Sequence, residues 1–148
     1  MKILVCYDGS EASLRAVDKA HHLIKDCGIN EVTLIHGYTH YSRGPIAKDK
    51  HAEPSLLQKL KKSERKNWLE KQEILEEIAE TFEQKGTKIN ICMIEGNPAE
   101  VIIKEAEEGD YDFVVIGRRG RGNLKNMVMG SVSNGVLQGT KVTVLIVK

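Results

Sequence analysis

VVIGRRGRGNLKNMVMGSVSNGV, residues 114–136, sets an apolar, β-branched run against a loop of glycines and basic residues, and ends in a Gly-Ser pair that opens a further segment. The apolar run is too continuous to leave one face in water, so it reads as a strand covered on both sides. Ser131, directly after Gly130, stands where a helix would begin. A buried strand, a glycine-rich loop and a helix start, in that order, belong to an α/β crossover whose loop opens at the C-terminal edge of a sheet.

The rest of the chain repeats the alternation. KILVCY, residues 2–7, is a second buried-strand pattern that stops at Asp8-Gly9-Ser10. From Ser10, which can cap, Leu14, Val17, Ala20, Leu23 and Ile24 recur at helical spacing until Gly28. EVTLIH, 31–36, predicts strand two. Residues 38–55 contain Gly44, Pro45 and Pro54 without a period, which is long for a connection in a compact domain and suits a lid or a disposable insertion. The stretch 56–85 predicts a long helix with Leu75, Ile78, Ala79 and Phe82 as its apolar stripe; its basic cluster KLKKSERK reads as a solvated face and receives no chemistry. TKINICMI, 87–94, is strand three. Asn97 can cap the next helix, Pro98 suits its first position, and the helix runs to about Glu108 before Gly109. Strand four is 113–116, a helix starts near Ser131, and KVTVLIV, 141–147, closes the chain. The order βαβαβαβαβ, with strands this apolar, predicts one α/β domain over 1–148 built on a parallel sheet with helices on both faces.

Composition narrows the function. With 148 residues the chain is the size of one domain, and 41% apolar with 29% charged residues gives a core and a polar surface. A net charge of +1 supplies no global field toward nucleic acid or an anionic membrane, so any polyanion must be met by a local cluster such as the basic loop 118–125. No window approaches the ~18 apolar residues of a membrane span, and the start is not that of a secretion signal, so a cytoplasmic protein without membrane or nucleic-acid partners is expected. Cys6, Cys27 and Cys92 lack the paired spacing of a zinc site or a dithiol motif. His36 and His40 straddle the end of predicted strand two, so their spacing does not place both rings on one face, no carboxylate or thiol joins them at ligand spacing, and no metal site made of side chains alone is expected.

In an open parallel sheet, ligands bind beyond the C-terminal strand ends where the strand order reverses, which would bring Asp8-Gly9-Ser10 beside the loop from Gly117 to Ser131. Gly117 and Gly120 let backbone N–H groups approach an anion, and the helix start at Gly130-Ser131 favours phosphate. Ser131 and Ser133 add hydroxyls; Arg118, Arg119, Arg121 and Lys125 add positive charge. These are the parts of a polyphosphate cradle. A Walker loop fails, because Gly117 to Gly122 continues with Asn123-Leu124, and the dinucleotide fingerprint fails, because Lys125 stands in place of its third glycine. Each part also has a plainer reading: Asp8 as a turn residue, the arginines as a solvated loop, His36 as a satisfied strand-end histidine and Cys6 as packing.

The letters that do fit are G-x2-G-x9-G-[ST], in Gly117, Gly120, Gly130 and Ser131. With Asp8 ending strand one, His36 ending strand two and Gly96-Asn97-Pro98 opening helix three, the whole chain resembles the universal stress protein family. The resemblance implies an open five-stranded sheet in order 3-2-1-4-5, of the adenine nucleotide alpha hydrolase-like type, and ATP bound across the strand ends, often with Mg2+ or Mn2+. Asp8 and the chain around Gly37 would meet the adenine, and the end of strand one at Cys6 would flank the ribose with Gly117. Gly120, Gly130, Ser131, Val132 and Ser133 would receive the phosphates. Arg118, where small polar residues are common in the family, would either strengthen phosphate binding or crowd the ribose. Gly37, in place of a bulkier residue, would widen the adenine pocket. The resemblance also implies a homodimer through the last strand, an unidentified protein partner, and a regulatory, stress-response role with at most slow hydrolysis. Two alternatives stay open: an ATP-pyrophosphatase-like enzyme, to which YDGSEAS has a partial similarity, and an interaction module of the same fold that binds no nucleotide.

Overall fold

The computed structural model describes residues 1–39, 62–120 and 128–148. Most of the 38–55 connection, the start of the long helix, and Arg121 and Lys125 lie outside the described residues. In chain order the elements are β1 (Lys2–Cys6), α1 (Glu11–Cys27), β2 (Glu31–Tyr38), α2 (Lys62–Glu83), β3 (Lys88–Glu95), α3 (Pro98–Glu108), β4 (Phe113–Gly117), α4 (Ser131–Gly139) and β5 (Thr143–Val147). All pairings are parallel, in the order β3-β2-β1-β4-β5. The chain therefore reverses its direction of travel across the sheet at β1 and β4, and their C-terminal ends leave a crevice between them.

Alternate residues of β1 serve different layers. Ile3 and Val5 pack with Val32 and Leu34 under α1 and α2, against Ala16, Leu75 and Phe82. Leu4 and Cys6 face the opposite way, into Ile35, Ile102, Ala106 and Val136 beneath α3 and α4. Phe82 is the largest fully buried side chain of the first layer, and its truncation to alanine should cost ~3–5 kcal/mol.

The caps follow the sequence. Ser10 Oγ accepts from the Ser13 amide at 3.1 Å, and Gly28 ends α1 in the left-handed conformation. Asn97 accepts from Ala99 and Glu100 at 3.0 and 3.4 Å with Pro98 in the first turn. Some ends differ from the sequence reading. β2 continues to Tyr38 because β3 pairs with it to Glu95. β5 begins at Thr143, two residues late, since the Lys141 amide donates to Glu107 Oε1 and the Val142 amide to Thr140 Oγ1 instead of joining a ladder.

Candidate functional site

Beyond the ends of β1, β2 and β4 lies a cavity of about 390 Å³. Cys6, Asp8, Gly37, Gly117, Gly120, Gly130, Ser131, Val132 and Ser133 all line it, so the fold brings together nine of the ten residues that the family resemblance sets around the nucleotide. Arg118 does not line it; Arg119 does. The Arg118 backbone acts instead. Its amide donates to Val147 O at 2.7 Å, and its carbonyl accepts from the Gly130 amide at 2.9 Å and from Ser133 Oγ at 2.7 Å. The two ends of the glycine-rich loop are thereby tied to each other and to β5.

The glycines of the motif are required by proximity rather than by backbone angle, for none of Gly117, Gly120 and Gly130 has a positive φ. A Cβ on Gly117 would fall 2.6 Å from the backbone of Ala12 in α1, and one on Gly120 would fall 2.4 Å from Asp8 Oδ2. Asp8 is fixed by the Ser10 amide, which donates to its Oδ1 at 2.9 Å. The carboxylate thus closes the β1 side of the loop.

Helix α4 is built differently from α1 and α3. Gly130 occupies its N-cap position and supplies no side-chain acceptor. Ser131, Val132 and Ser133, which line the cavity, form the first turn, where amides lack an intrahelical acceptor and the helix has its positive pole. Ser133 differs from expectation. Ser133 is 2% exposed, and its hydroxyl donates to Arg118 O, with Gly130 O also within 3.1 Å, so the hydroxyl holds the loop.

At the β2 end the polar groups are side chains. His36 is buried with Nδ1 2.7 Å from Tyr7 O and Nε2 3.2 Å from Lys71 Nζ. A carbonyl only accepts, so Nδ1 carries the proton and Nε2 accepts from the lysine; the ring is the neutral Nδ1–H tautomer. Trp68 hydrogen-bonds the Tyr38 hydroxyl, whose pKa is raised by burial and by Glu95. Burial, aided by Asp8, pushes the Cys6 thiol far up, which makes it a packing group.

Two expectations change here. The space of the missing Gly37 side chain is not open to a base, because a Cβ there would lie 2.9 Å from both Pro98 Cα and Val101 Cγ2; α3 occupies it. Lys71 lines the cavity although the sequence reading assigned its helix no chemistry. It was findable: 68, 71, 75, 79 and 82 follow one helical stripe, and a lysine stands in it among Trp68, Leu75, Ala79 and Phe82.

The sequence profile of the universal stress protein family matches residues 1–148. The chain belongs to that family. Universal stress protein YxiE of Bacillus subtilis is 33% identical over 99% of this chain and 98% of its own length. Among solved structures, that of hypothetical protein MJ0577 of Methanocaldococcus jannaschii has 28% identity and a TM-score of 0.76, covering 99% of this chain and 94% of that one. A universal stress protein solved in complex with cAMP has 24% identity and a TM-score of 0.69 over 100% and 97% of the two chains, a likeness of fold alone. The fold of this universal stress protein is thus the five-stranded 3-2-1-4-5 sheet of its relatives.

Proposed function

We propose that this universal stress protein binds ATP in the cavity and acts as a regulatory, stress-response protein through that occupancy. The observation that carries the reading is the contrast among helix starts. Ser10 and Asn97 cap α1 and α3 with side-chain oxygens, whereas α4 has none and opens on the cavity. A phosphate oxygen would supply the missing acceptor. The phosphates would lie on Gly120, Gly130 and the amides of Ser131, Val132 and Ser133, with Arg119 adding charge; Gly117 and Cys6 would flank the ribose, and Asp8 and the chain at Gly37 the base. The cAMP complex of a related fold supports a nucleotide as the ligand class.

The described residues contain no cluster of three or more His, Cys, Asp or Glu side chains suited to a metal ion, so a divalent ion would rest on the phosphate oxygens. Among the described residues His36 is the imidazole lining this cavity, and it stands at the β2 end with both nitrogens engaged, at the opposite end from α4. That favours a holder of ATP over an efficient hydrolase. β5, an edge strand with half-buried Val144, Leu145, Ile146 and Val147, is the surface we assign to a homodimer. Thermal unfolding tests the nucleotide reading: ATP with Mg2+ at ~100 times its Kd should add ~2.7 kcal/mol of stability. Superimposable melts with and without ATP would overturn it.

A further inference from the structure

Lys71 is a half-buried cation carried to the cavity by α2, an element separate from the glycine-rich loop. Its ammonium donates to His36 Nε2 at 3.2 Å, and His36 is in turn fixed by Tyr7 O at 2.7 Å. The strand order sets β2 on the far side of β1 from β4, so this cation stands at the end of the cavity opposite the α4 amides. A nucleotide with its phosphates on α4 directs its base toward β2. An ammonium has three donors and no acceptor, so it can hold His36 and a second acceptor together.

Resting on the nucleotide reading above, we propose that Lys71 is a specificity-determining residue that donates a hydrogen bond to a ring nitrogen of the base, with His36 as the positioning residue that holds the ammonium in place. A charge-assisted bond to a desolvated base edge discriminates more strongly than an apolar wall, since a ligand lacking the acceptor forgoes that bond.

The test is calorimetric titration of the full chain and of Lys71→Met, which keeps the apolar stem, with ATP, inorganic tripolyphosphate and the 1-deaza, 3-deaza and 7-deaza analogues of ATP. Lys71→Met should weaken ATP by about ten- to a hundredfold and leave tripolyphosphate within about twofold, as expected of a group that does not meet the phosphates. One deaza analogue, already weak with the wild-type chain, should lose nothing further in Lys71→Met, which identifies the acceptor. His36→Phe should reproduce the loss for ATP, and His36→Gln, which returns an acceptor near the Nε2 position, should restore most of it at an unchanged melting temperature. Equal losses for ATP and tripolyphosphate would overturn the proposal, as would ATP affinity unchanged in Lys71→Met, or a loss that persists with every analogue. In each of those cases ATP still binds the wild-type chain and the nucleotide reading stands. Failure of the wild-type chain to bind ATP at all overturns both.

Discussion

At the α4 end of the cavity the polar groups are backbone amides; at the β2 end they are side chains brought by a separate helix. The difference governs how each end fails. The amides of Ser131, Val132 and Ser133 cannot be deleted by mutation, only displaced, and the loop that positions them is held by bonds converging on Arg118 O. The His36 and Lys71 groups can be removed one at a time, and each removal alters what the cavity recognises rather than whether it forms. A backbone site suits a ligand part common to many molecules, such as phosphate, and a side-chain site suits the part that distinguishes them.

The harshest way to break the α4 end is Gly130→Val. A Cβ there would lie 3.3 Å from Arg119 Cα and 3.4 Å from Arg118 O, and the γ-methyls would press the two ends of the loop apart. The backbone angles of Gly130 suit any residue, so the fold should survive with a melting temperature a few degrees lower. ATP affinity should fall at least a hundredfold, ~2.7 kcal/mol, by titration. Unchanged affinity would show that the amides are not the phosphate site.

A milder break tests why the loop needs glycine at 120. In Gly120→Ala the new methyl meets Asp8 Oδ2, the end of a side chain, so the carboxylate can swing away at the expense of its bond from the Ser10 amide. The expected cost is ~1–2 kcal/mol in denaturant unfolding. In an Asp8→Ala background the same substitution should cost little, and the coupling in the double-mutant cycle measures the contact. Additive losses would place the strain elsewhere.

The same contrast explains what could be read from the letters. Continuous apolar strands, the Ser10 cap and the Asn97-Pro98 helix start are local, so the architecture was legible; the strand order came from the family resemblance. The α4 end was legible because close backbone approach demands glycine, and glycine at a fixed spacing is visible. Its reason was not, since the contacts of Gly117 with Ala12 and of Gly120 with Asp8 join positions more than a hundred residues apart. Arg118 stands out in the letters because small polar residues are common there in the family, but sequence carries no direction for adjacent side chains in a loop, and it is Arg119 that lines the cavity. Gly37 read as empty space only while the packing of Pro98 and Val101 upon it was unknown. Lys71 escaped notice because charge on a helix usually means a solvated face.

Ser133→Ala is a smaller perturbation of the α4 end. It removes the hydroxyl bond to Arg118 O, but that carbonyl keeps the Gly130 amide, so no buried acceptor is orphaned. The loss should be about 1 kcal/mol in stability, with ATP weakened through the loosened loop and not through a lost phosphate contact. Ser133→Thr should retain both; a threonine variant that keeps wild-type stability yet binds ATP as weakly as alanine would show that the loop bond is not what supports binding.

The smallest effect is a pH dependence confined to the side-chain end, through the seat of α2. The His21 ring of α1 stacks on Phe82 of α2 at 3.7 Å, with Nε2 2.8 Å from Thr81 Oγ1. Thr81 spends its own hydrogen on Ile78 O at 2.6 Å, so its oxygen accepts from His21 Nε2–H, and Nδ1 is the bare nitrogen, buried without a hydrogen bond. Protonating Nδ1 would create a buried donor with no acceptor. Burial, with Lys85 nearby and His22 adding to it against the opposing Asp18, accordingly holds the pKa below that of an ordinary histidine. The sign follows from linkage: the unfolded chain takes up a proton near pH 6.5 that the folded chain refuses. Stability is therefore fully present above that pH and declines as pH falls from there through the lower folded-state pKa. Denaturant midpoints at pH 7.5 and 5.5 should differ in this direction for the wild-type chain, and the difference should shrink in His21→Phe, which keeps the stack but cannot titrate. Because α2 also carries Trp68 and Lys71, mild acid should erode the preference for ATP over tripolyphosphate before it weakens tripolyphosphate itself; parallel losses for the two ligands would mean that the ends of the cavity are not independent.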